Sequence, residues 1–302
     1  MNPSSPPLFA GCATALITPF KDGKVDYPAF EHILQNQLSA DVDALVVTGT
    51  TGESSTLTDR EKHDLYTCAV RAVRASGKKI PVIAGTGSNN TARAIELSRM
   101  AESCGCDGLL VVTPYYNKAS QEGLISHFTS IANAVSIPLI LYHVPARTGC
   151  AMTAETCQKL SEHPRIAGFK DATGNIGFTA RVSAACCTSL PLYSGNDDMI
   201  TPIMALGGLG VISVVSNIFP ELMVRLCRLW QSGEHAAADQ IQKNILPLCD
   251  ALFCEVNPIP VKYAMACLGY CQNEVRLPLS PASDVVRERV SRCLASLRSV
   301  QT

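Results

Sequence analysis

Short apolar runs recur along the chain at 12–18, 44–48, 80–84, 108–113, 138–143, 165–170, 192–195 and 210–215. Turn-forming residues bound them, and many are β-branched and continuous rather than alternating, as in parallel strands buried on both faces. Between them lie stretches with apolar residues at helical spacing, such as 58–76, 90–104 and 120–135. Thr58 stands three residues before Glu61, the signature of a capping box, and Ser120 precedes Gln121-Glu122 as a helix start. Eight such units over 1–232 predict an α/β protein, a (β/α)8 TIM barrel. A doubly wound open sheet is the competing fold, but no Gly-x-Gly-x-x-Gly follows the first run. Helical patterns at 220–232, 235–253, 260–268 and 281–299 exceed what one barrel helix requires. They predict a helical extension, 233–302, packed on the barrel without a Gly/Ser or charged linker.

In a TIM barrel, chemistry belongs at the C-terminal ends of the strands, and five of those ends carry reactive or polar groups. Lys170 ends the sixth run, before Asp171-Ala172-Thr173-Gly174-Asn175. Such a lysine either snorkels its charge to the surface or, if desolvated, presents a neutral amine that attacks carbonyls. After the second run comes Gly49-Thr50-Thr51-Gly52-Glu53-Ser54. It is either a turn into the next helix or a concavity whose N–H groups and hydroxyls take a carboxylate. The fifth run gives Tyr142-His143-Val144-Pro145-Ala146-Arg147. Tyr142 is a core phenol or a proton carrier linked to a hydroxyl such as Thr50. Arg147 is a surface ion-pair partner or a planar fork for a substrate carboxylate. His143 should point away from Tyr142, because strand side chains alternate. Tyr115-Tyr116, in the loop after the fourth run, suit packing or a partner subunit. Asp197 and Asp198, after the seventh, suit capping of the next helix. Taken together, the strand ends hold the equipment for imine formation with a keto acid: nucleophile, proton relay, carboxylate cradle and a clamp for a second carboxylate.

Composition narrows the classes. Hydrophobic residues make up 47% and charged residues 17%, which suits a large core rather than disorder. Net charge is −1 without a basic cluster, so neither nucleic acid nor an anionic membrane is indicated as partner. No stretch is apolar enough to span a bilayer, and Met1-Asn2-Pro3-Ser4-Ser5-Pro6-Pro7 lacks the basic start and apolar core of a signal peptide. A cytoplasmic location follows, and with it free thiols for the 14 cysteines. Cys104-Gly105-Cys106 and Cys186-Cys187 lack zinc-finger and thioredoxin spacing, so no metal site is expected, and Cys68, Cys227 and Cys267 read as small apolar fillers.

Six motifs in order carry a resemblance over nearly the whole chain. They are Gly49-Thr50-Thr51-Gly52-Glu53, Tyr115-Tyr116-Asn117, 142–149, Gly168-Phe169-Lys170-Asp171-Ala172-Thr173-Gly174, 207–213 and Asn257-Pro258-Ile259-Pro260-Val261-Lys262. With them the chain resembles the dihydrodipicolinate synthase (4-hydroxy-tetrahydrodipicolinate synthase) family, among the lysine Schiff-base lyases related to N-acetylneuraminate lyase. The resemblance implies that pyruvate forms an imine with Lys170 and then attacks L-aspartate-4-semialdehyde, on the route to diaminopimelate and lysine. It implies a proton relay of Tyr142, Thr50 and Tyr116, with Tyr116 reaching in from a neighbouring subunit of a homotetramer, a dimer of dimers. It further implies that Thr51 holds the pyruvate carboxylate and Arg147 that of the semialdehyde. Gly195 and Ile212 would line the pocket through their backbones, and no cofactor is needed.

N-acetylneuraminate lyases usually have an apolar residue in place of Arg147 and a serine in place of Thr50, which favours the synthase. Another pyruvate-dependent aldolase, such as an N-acetylneuraminate or 2-keto-3-deoxy sugar acid lyase, is the alternative, and a non-catalytic keto-acid-binding barrel is the remaining one. His143 replaces the family's usual asparagine and is read as structural, bearing on hydrogen bonds around the site but not on its chemistry. Asp59, Lys62 and Arg93 stand where lysine-inhibited members carry histidines and a glutamate, while Asn89 and Tyr115 are retained. Weak or absent feedback by lysine is therefore expected.

Overall fold

The structure, a computed structural model, describes residues 7–186 and 189–301. The eight apolar runs are strands β1 (Gly11–Ala15), β2 (Ala44–Val47), β3 (Val82–Gly85), β4 (Gly108–Val112), β5 (Leu139–His143), β6 (Ile166–Asp171), β7 (Leu192–Ser194) and β8 (Gly210–Ser213). All pair in parallel with their neighbours in sequence, and β1 closes on β8. The TIM barrel therefore holds, with strand ends shifted by a few residues at most. The largest shift is in the first run. β1 stops at Ala15, and beyond it the Ile17 N–H is taken by the Asn217 side chain at 3.1 Å instead of by a neighbouring strand. A small hairpin, Phe20–Lys21 with Lys24–Val25, follows and was not foreseen.

Alternation of side chains separates two cores. In β5, Ile140 and Tyr142 face into the barrel with Ala13, Ala15, Ala44, Val46, Ile83, Leu110, Tyr193 and Ile212. Alternate residues Leu139 and Leu141 join the shell between strands and helices. The lower end is plugged by Phe9 stacked on Tyr193, ring centroids 4.3 Å apart, with the Tyr193 hydroxyl donating to the Phe9 carbonyl at 2.7 Å. Where β8 meets β1, Gly210 faces Gly11, and a Cβ on Gly210 would lie 1.8 Å from the Gly11 carbonyl oxygen. Close packing thus accounts for Gly208 and Gly210, while Gly207 answers to a φ of 89°.

The outer layer follows the sequence closely. Asp59–Ser76 begins with a complete capping box between Thr58 and Glu61, and Gln121–Asn133 begins with Ser120 accepting from Gly123 N–H. Thr91–Ser103 begins at Asn90, which accepts from Ala92 N–H. Pro220–Gln231, His235–Leu252, Ile259–Cys267 and Asp284–Gln301 are the four helices anticipated at the C-terminal end. Ile241, Ile245, Leu248, Val261, Met265 and Val290 of this region belong to the same buried cluster as the barrel's outer core. No break in packing separates barrel and extension. Among the described residues no helix is long and apolar enough to cross a membrane.

Two expectations need correction. Asp197 does not cap the helix that follows it. Its Oδ2 accepts from the N–H groups of Val214 and Val215 beyond β8, at 2.8 and 3.1 Å, and Gln242 from the extension caps Ile200 and Thr201 instead. A buried carboxylate takes the nearest unsatisfied N–H groups, and here the closed barrel brings those of β8 closer than the helix's own. Cys267 is exposed and fills no core, whereas Cys68 and Cys227 are buried. The described cysteines are free thiols, while Cys187 lies outside the described residues, as do Met1 to Pro6.

Candidate active site

Lys170 is buried at the C-terminal end of β6, pointing inward, with only 5% of its surface exposed. It pairs in register with Tyr142 on β5 and Tyr193 on β7. Its Nζ lies 4.2 Å from the Tyr142 ring centroid. Burial pushes the Lys170 pKa down to about 7, Arg147 adding to the shift and Asp197 opposing it. The cause is the cost of holding an ammonium away from water without a close counter-charge. Near neutral pH the nitrogen is thus divided between ammonium and nucleophilic amine. The snorkelling alternative does not fit this placement.

The amine faces a cavity of about 150 Å³ that also takes in Thr50, Thr51, Tyr142, Arg147, Gly195 and Asn257. Thr50 and Thr51 stand in a tight turn after β2, where Glu53 N–H donates to the Thr50 carbonyl at 3.1 Å. Thr48 and Glu53, on either side, have φ of 55° and 52°. Left-handed backbone is costly for residues other than glycine, above all for β-branched Thr48, so the turn is held by its surroundings. The Thr48 hydroxyl bridges to Tyr66 at 2.8 Å and to the Gly85 carbonyl at 3.1 Å, and Thr18 donates to the Gly52 carbonyl at 2.8 Å.

Tyr142 is buried, which raises its phenol's pKa, while the Arg147 charge and the Thr50 hydroxyl act in the opposite direction. Both neighbours favour phenolate character, as a proton-shuttling phenol needs. Arg147 lies in the short helix Pro145–Thr148 and donates from Nη2 to the Asn257 backbone carbonyl at 3.1 Å. This leaves the other guanidinium N–H groups for a ligand. Gly195, just past β7, donates to the Asp171 carbonyl at 2.6 Å, and a Cβ there would lie 2.7 Å from that of Ala172. His143 points outward as anticipated. Its Nε2 accepts from Met152 N–H at 3.0 Å and its ring packs against Phe169 and Phe178. Burial pushes its pKa down to about 4, so it stays neutral.

Two anticipated residues stand apart from the cavity. Ile212 is packed inside the barrel, and the cavity wall contributed after β8 is Val214. Tyr116 is 89% exposed with φ of 74°, its N–H donating to the Thr148 carbonyl at 3.2 Å. A fully presented aromatic that lines neither the cavity nor the neighbouring cleft is poorly placed to act within its own chain. Beside the cavity lies a second cleft of about 560 Å³, which shares Thr50, Val144 and Arg147 with it and includes Lys62, Ser88, Arg93 and Tyr115. Lys62 is buried and its pKa is lowered, first by burial and then by Arg93. Arg93 itself is paired with Asp59 and Glu96.

Sequence reasoning assigned no role to Phe253 or Asn257, although both line the cavity from the extension. Nor did it foresee the fully buried ion pair of Glu53 with Lys262, 2.5 Å apart, which ties the Thr50–Thr51 turn to helix Ile259–Cys267. The available signal was the motif 257–262 itself, which put an asparagine and a lysine in otherwise apolar surroundings. Among the described residues no group of three His, Cys, Asp or Glu side chains is arranged to hold a metal ion.

Comparison with known proteins agrees with this geometry. The profile of the Dihydrodipicolinate synthetase family matches residues 8–297. A 4-hydroxy-tetrahydrodipicolinate synthase of Alkaliphilus oremlandii is 47% identical over 283 residues, 94% of this chain and 97% of that protein. Two solved structures are 40% identical. One is the chloride-inhibited dihydrodipicolinate synthase of Acinetobacter baumannii complexed with pyruvate, with a TM-score of 0.91 over 95% of this chain and 98% of that one. The other is the enzyme of Cyanidioschyzon merolae with lysine bound, with a TM-score of 0.92 over 96% and 98%. A match across fold, order of motifs and strand-end chemistry leaves one assignment, and the chain belongs to the dihydrodipicolinate synthetase family.

Proposed function

We propose that the protein catalyses the 4-hydroxy-tetrahydrodipicolinate synthase reaction, condensing pyruvate with L-aspartate-4-semialdehyde in the diaminopimelate and lysine pathway. The neutral Lys170 amine attacks the pyruvate ketone, and water leaves to give an imine. Loss of a proton from the pyruvate methyl gives an enamine, whose carbon attacks the semialdehyde carbonyl. The amino group of that substrate then closes on the imine carbon and expels Lys170, so one water is released overall. Tyr142 and Thr50 carry protons between these steps, Thr51 takes the pyruvate carboxylate, and Arg147 takes that of the semialdehyde. The observation that carries the reading is the enclosure of the Lys170 amine with Tyr142, both threonines and Arg147 in one cavity. The pyruvate complex of the Acinetobacter relative supports the same first substrate. Borohydride treatment with pyruvate should add mass to the peptide containing Lys170, and a coupled assay should show turnover with aspartate semialdehyde but not N-acetylmannosamine. Absence of the adduct would refute the mechanism, and turnover of the sugar would refute the assigned substrate.

Tyr116 completes the relay of a neighbouring subunit, which makes the working form an oligomer, a tetramer by the family pattern, acting in the cytoplasm. The cleft of Lys62 and Arg93 is electrostatically unsuited to a lysine ammonium, and we assign this protein weak or absent lysine feedback.

A further inference from the structure

The motif 257–262 binds no substrate group in the mechanism above, yet its first residue touches both carboxylate-binding side chains. Asn257 is buried in the extension between helices His235–Leu252 and Ile259–Cys267. Its side-chain Nδ2 lies 3.0 Å from Thr51 Oγ1. Its backbone carbonyl accepts from Arg147 Nη2 at 3.1 Å. An amide nitrogen can only donate, so the Thr51 oxygen is the acceptor in the first bond. The hydroxyl proton then points elsewhere, and no described residue takes it. The cavity that Thr51 and Asn257 both line is the remaining direction.

We propose that Asn257 is a positioning residue for carboxylate recognition: its amide turns the Thr51 hydroxyl into a fixed donor toward the keto-acid carboxylate, and its backbone carbonyl sets the Arg147 fork at a constant distance from it. Without the amide the hydroxyl is free to rotate and to spend its proton on a protein acceptor. A donor aimed before the ligand arrives loses less freedom on binding, which is where the gain in affinity originates. The two ties differ in kind. The one to Thr51 runs through the side chain and can be removed by substitution, whereas the one to Arg147 runs through the backbone and survives it.

This inference rests on Thr51 holding the pyruvate carboxylate, and a double-mutant cycle separates the two. Thr51→Val, Asn257→Ala and the double variant are compared with the parent for KM of pyruvate, KM of the semialdehyde and kcat. Thr51→Val should raise KM for pyruvate about 10- to 100-fold, the usual effect of losing a hydrogen bond to a charged group. Asn257→Ala should raise it about 3- to 10-fold, the effect of a neutral hydrogen bond, with kcat and the semialdehyde KM within about twofold. In the Thr51→Val background, Asn257→Ala should add nothing to the pyruvate KM. Asn257→Asp keeps the shape but can only accept from the hydroxyl, so it should raise KM for pyruvate more than the alanine variant does. If Thr51→Val leaves the pyruvate KM unchanged, the underlying assignment of Thr51 fails. If Thr51→Val acts but Asn257→Ala does not, or their effects multiply, the coupling fails. Should Asn257→Ala not fold by circular dichroism, the aspartate variant decides the matter, and a pyruvate KM like the parent's would overturn the proposal.

Discussion

Lys170 shows how a residue's neighbourhood sets its chemistry. With a pKa near 7, half of the amine is neutral at neutral pH, and only about a tenth at pH 6. Adduct formation with pyruvate should therefore climb through a midpoint near pH 7 and level off above it, as borohydride trapping over a pH series would show. A midpoint above pH 9 would mean that the amine is solvated. Tyr142→Phe removes the phenol but keeps the packing and should lower kcat about 10²- to 10⁴-fold, the usual range for a lost general acid or base. Arg147→Ala should raise KM for the semialdehyde about 10- to 100-fold while trapping of pyruvate on Lys170 persists. Loss of the pyruvate adduct in that variant would contradict the division of labour between the two carboxylate sites. The strand-end residues were legible in the sequence because a TIM barrel places the C-terminal end of every strand at one mouth. Asp197 was misread because the N–H groups it binds lie 17 and 18 residues further on.

Among elements, the turn after β2 is the one whose shape depends most on another part of the chain. Its two non-glycine left-handed residues are held from outside, and Glu53 is the main anchor. Glu53 Oε1 takes the Lys262 ammonium, Oε2 accepts from Arg276 N–H at 3.0 Å, and Lys262 also donates to the Glu274 carbonyl at 2.7 Å. The ring centroid of Phe20, from the unforeseen hairpin, lies 3.8 Å from Lys262 Nζ. Removing one member of a buried ion pair leaves the other charge uncompensated, at a cost of about 3–5 kcal/mol. Glu53→Ala should thus shift the urea midpoint strongly downward. An unchanged midpoint would show that the tie contributes nothing to stability. The sequence displayed both ends of this tie, but 209 residues separate them and neither end names its partner.

For the whole molecule, the exposure of Tyr116 and the basic cleft beside the cavity define the remaining questions. A relay that needs a second subunit predicts that light scattering finds a dimer or larger species, and that dilution to monomer removes turnover while circular dichroism is unchanged. Full activity in the monomer would remove Tyr116 from the mechanism. Lysine at submillimolar concentration should leave the steady-state rate unchanged, because Lys62 carries no described counter-ion of its own and Arg93 stands close to it. Clear inhibition in that range would show that the ammonium is accommodated there.

The order of strands and helices, the capping of the outer layer and the residue types at the barrel mouth were determined by the sequence alone. Each is a local matter of periodicity, turn chemistry or position at a strand end. Tertiary structure decided which groups became neighbours across hundreds of residues: Asn257 against Thr51 and Arg147, Lys262 against Glu53, Gln242 at the helix beginning with Ile200. Those contacts are fixed by closing the barrel and folding the extension over its mouth, and burial then changes the chemistry of the groups enclosed. No local pattern encodes that step, because the cost of a buried charge depends on everything packed around it.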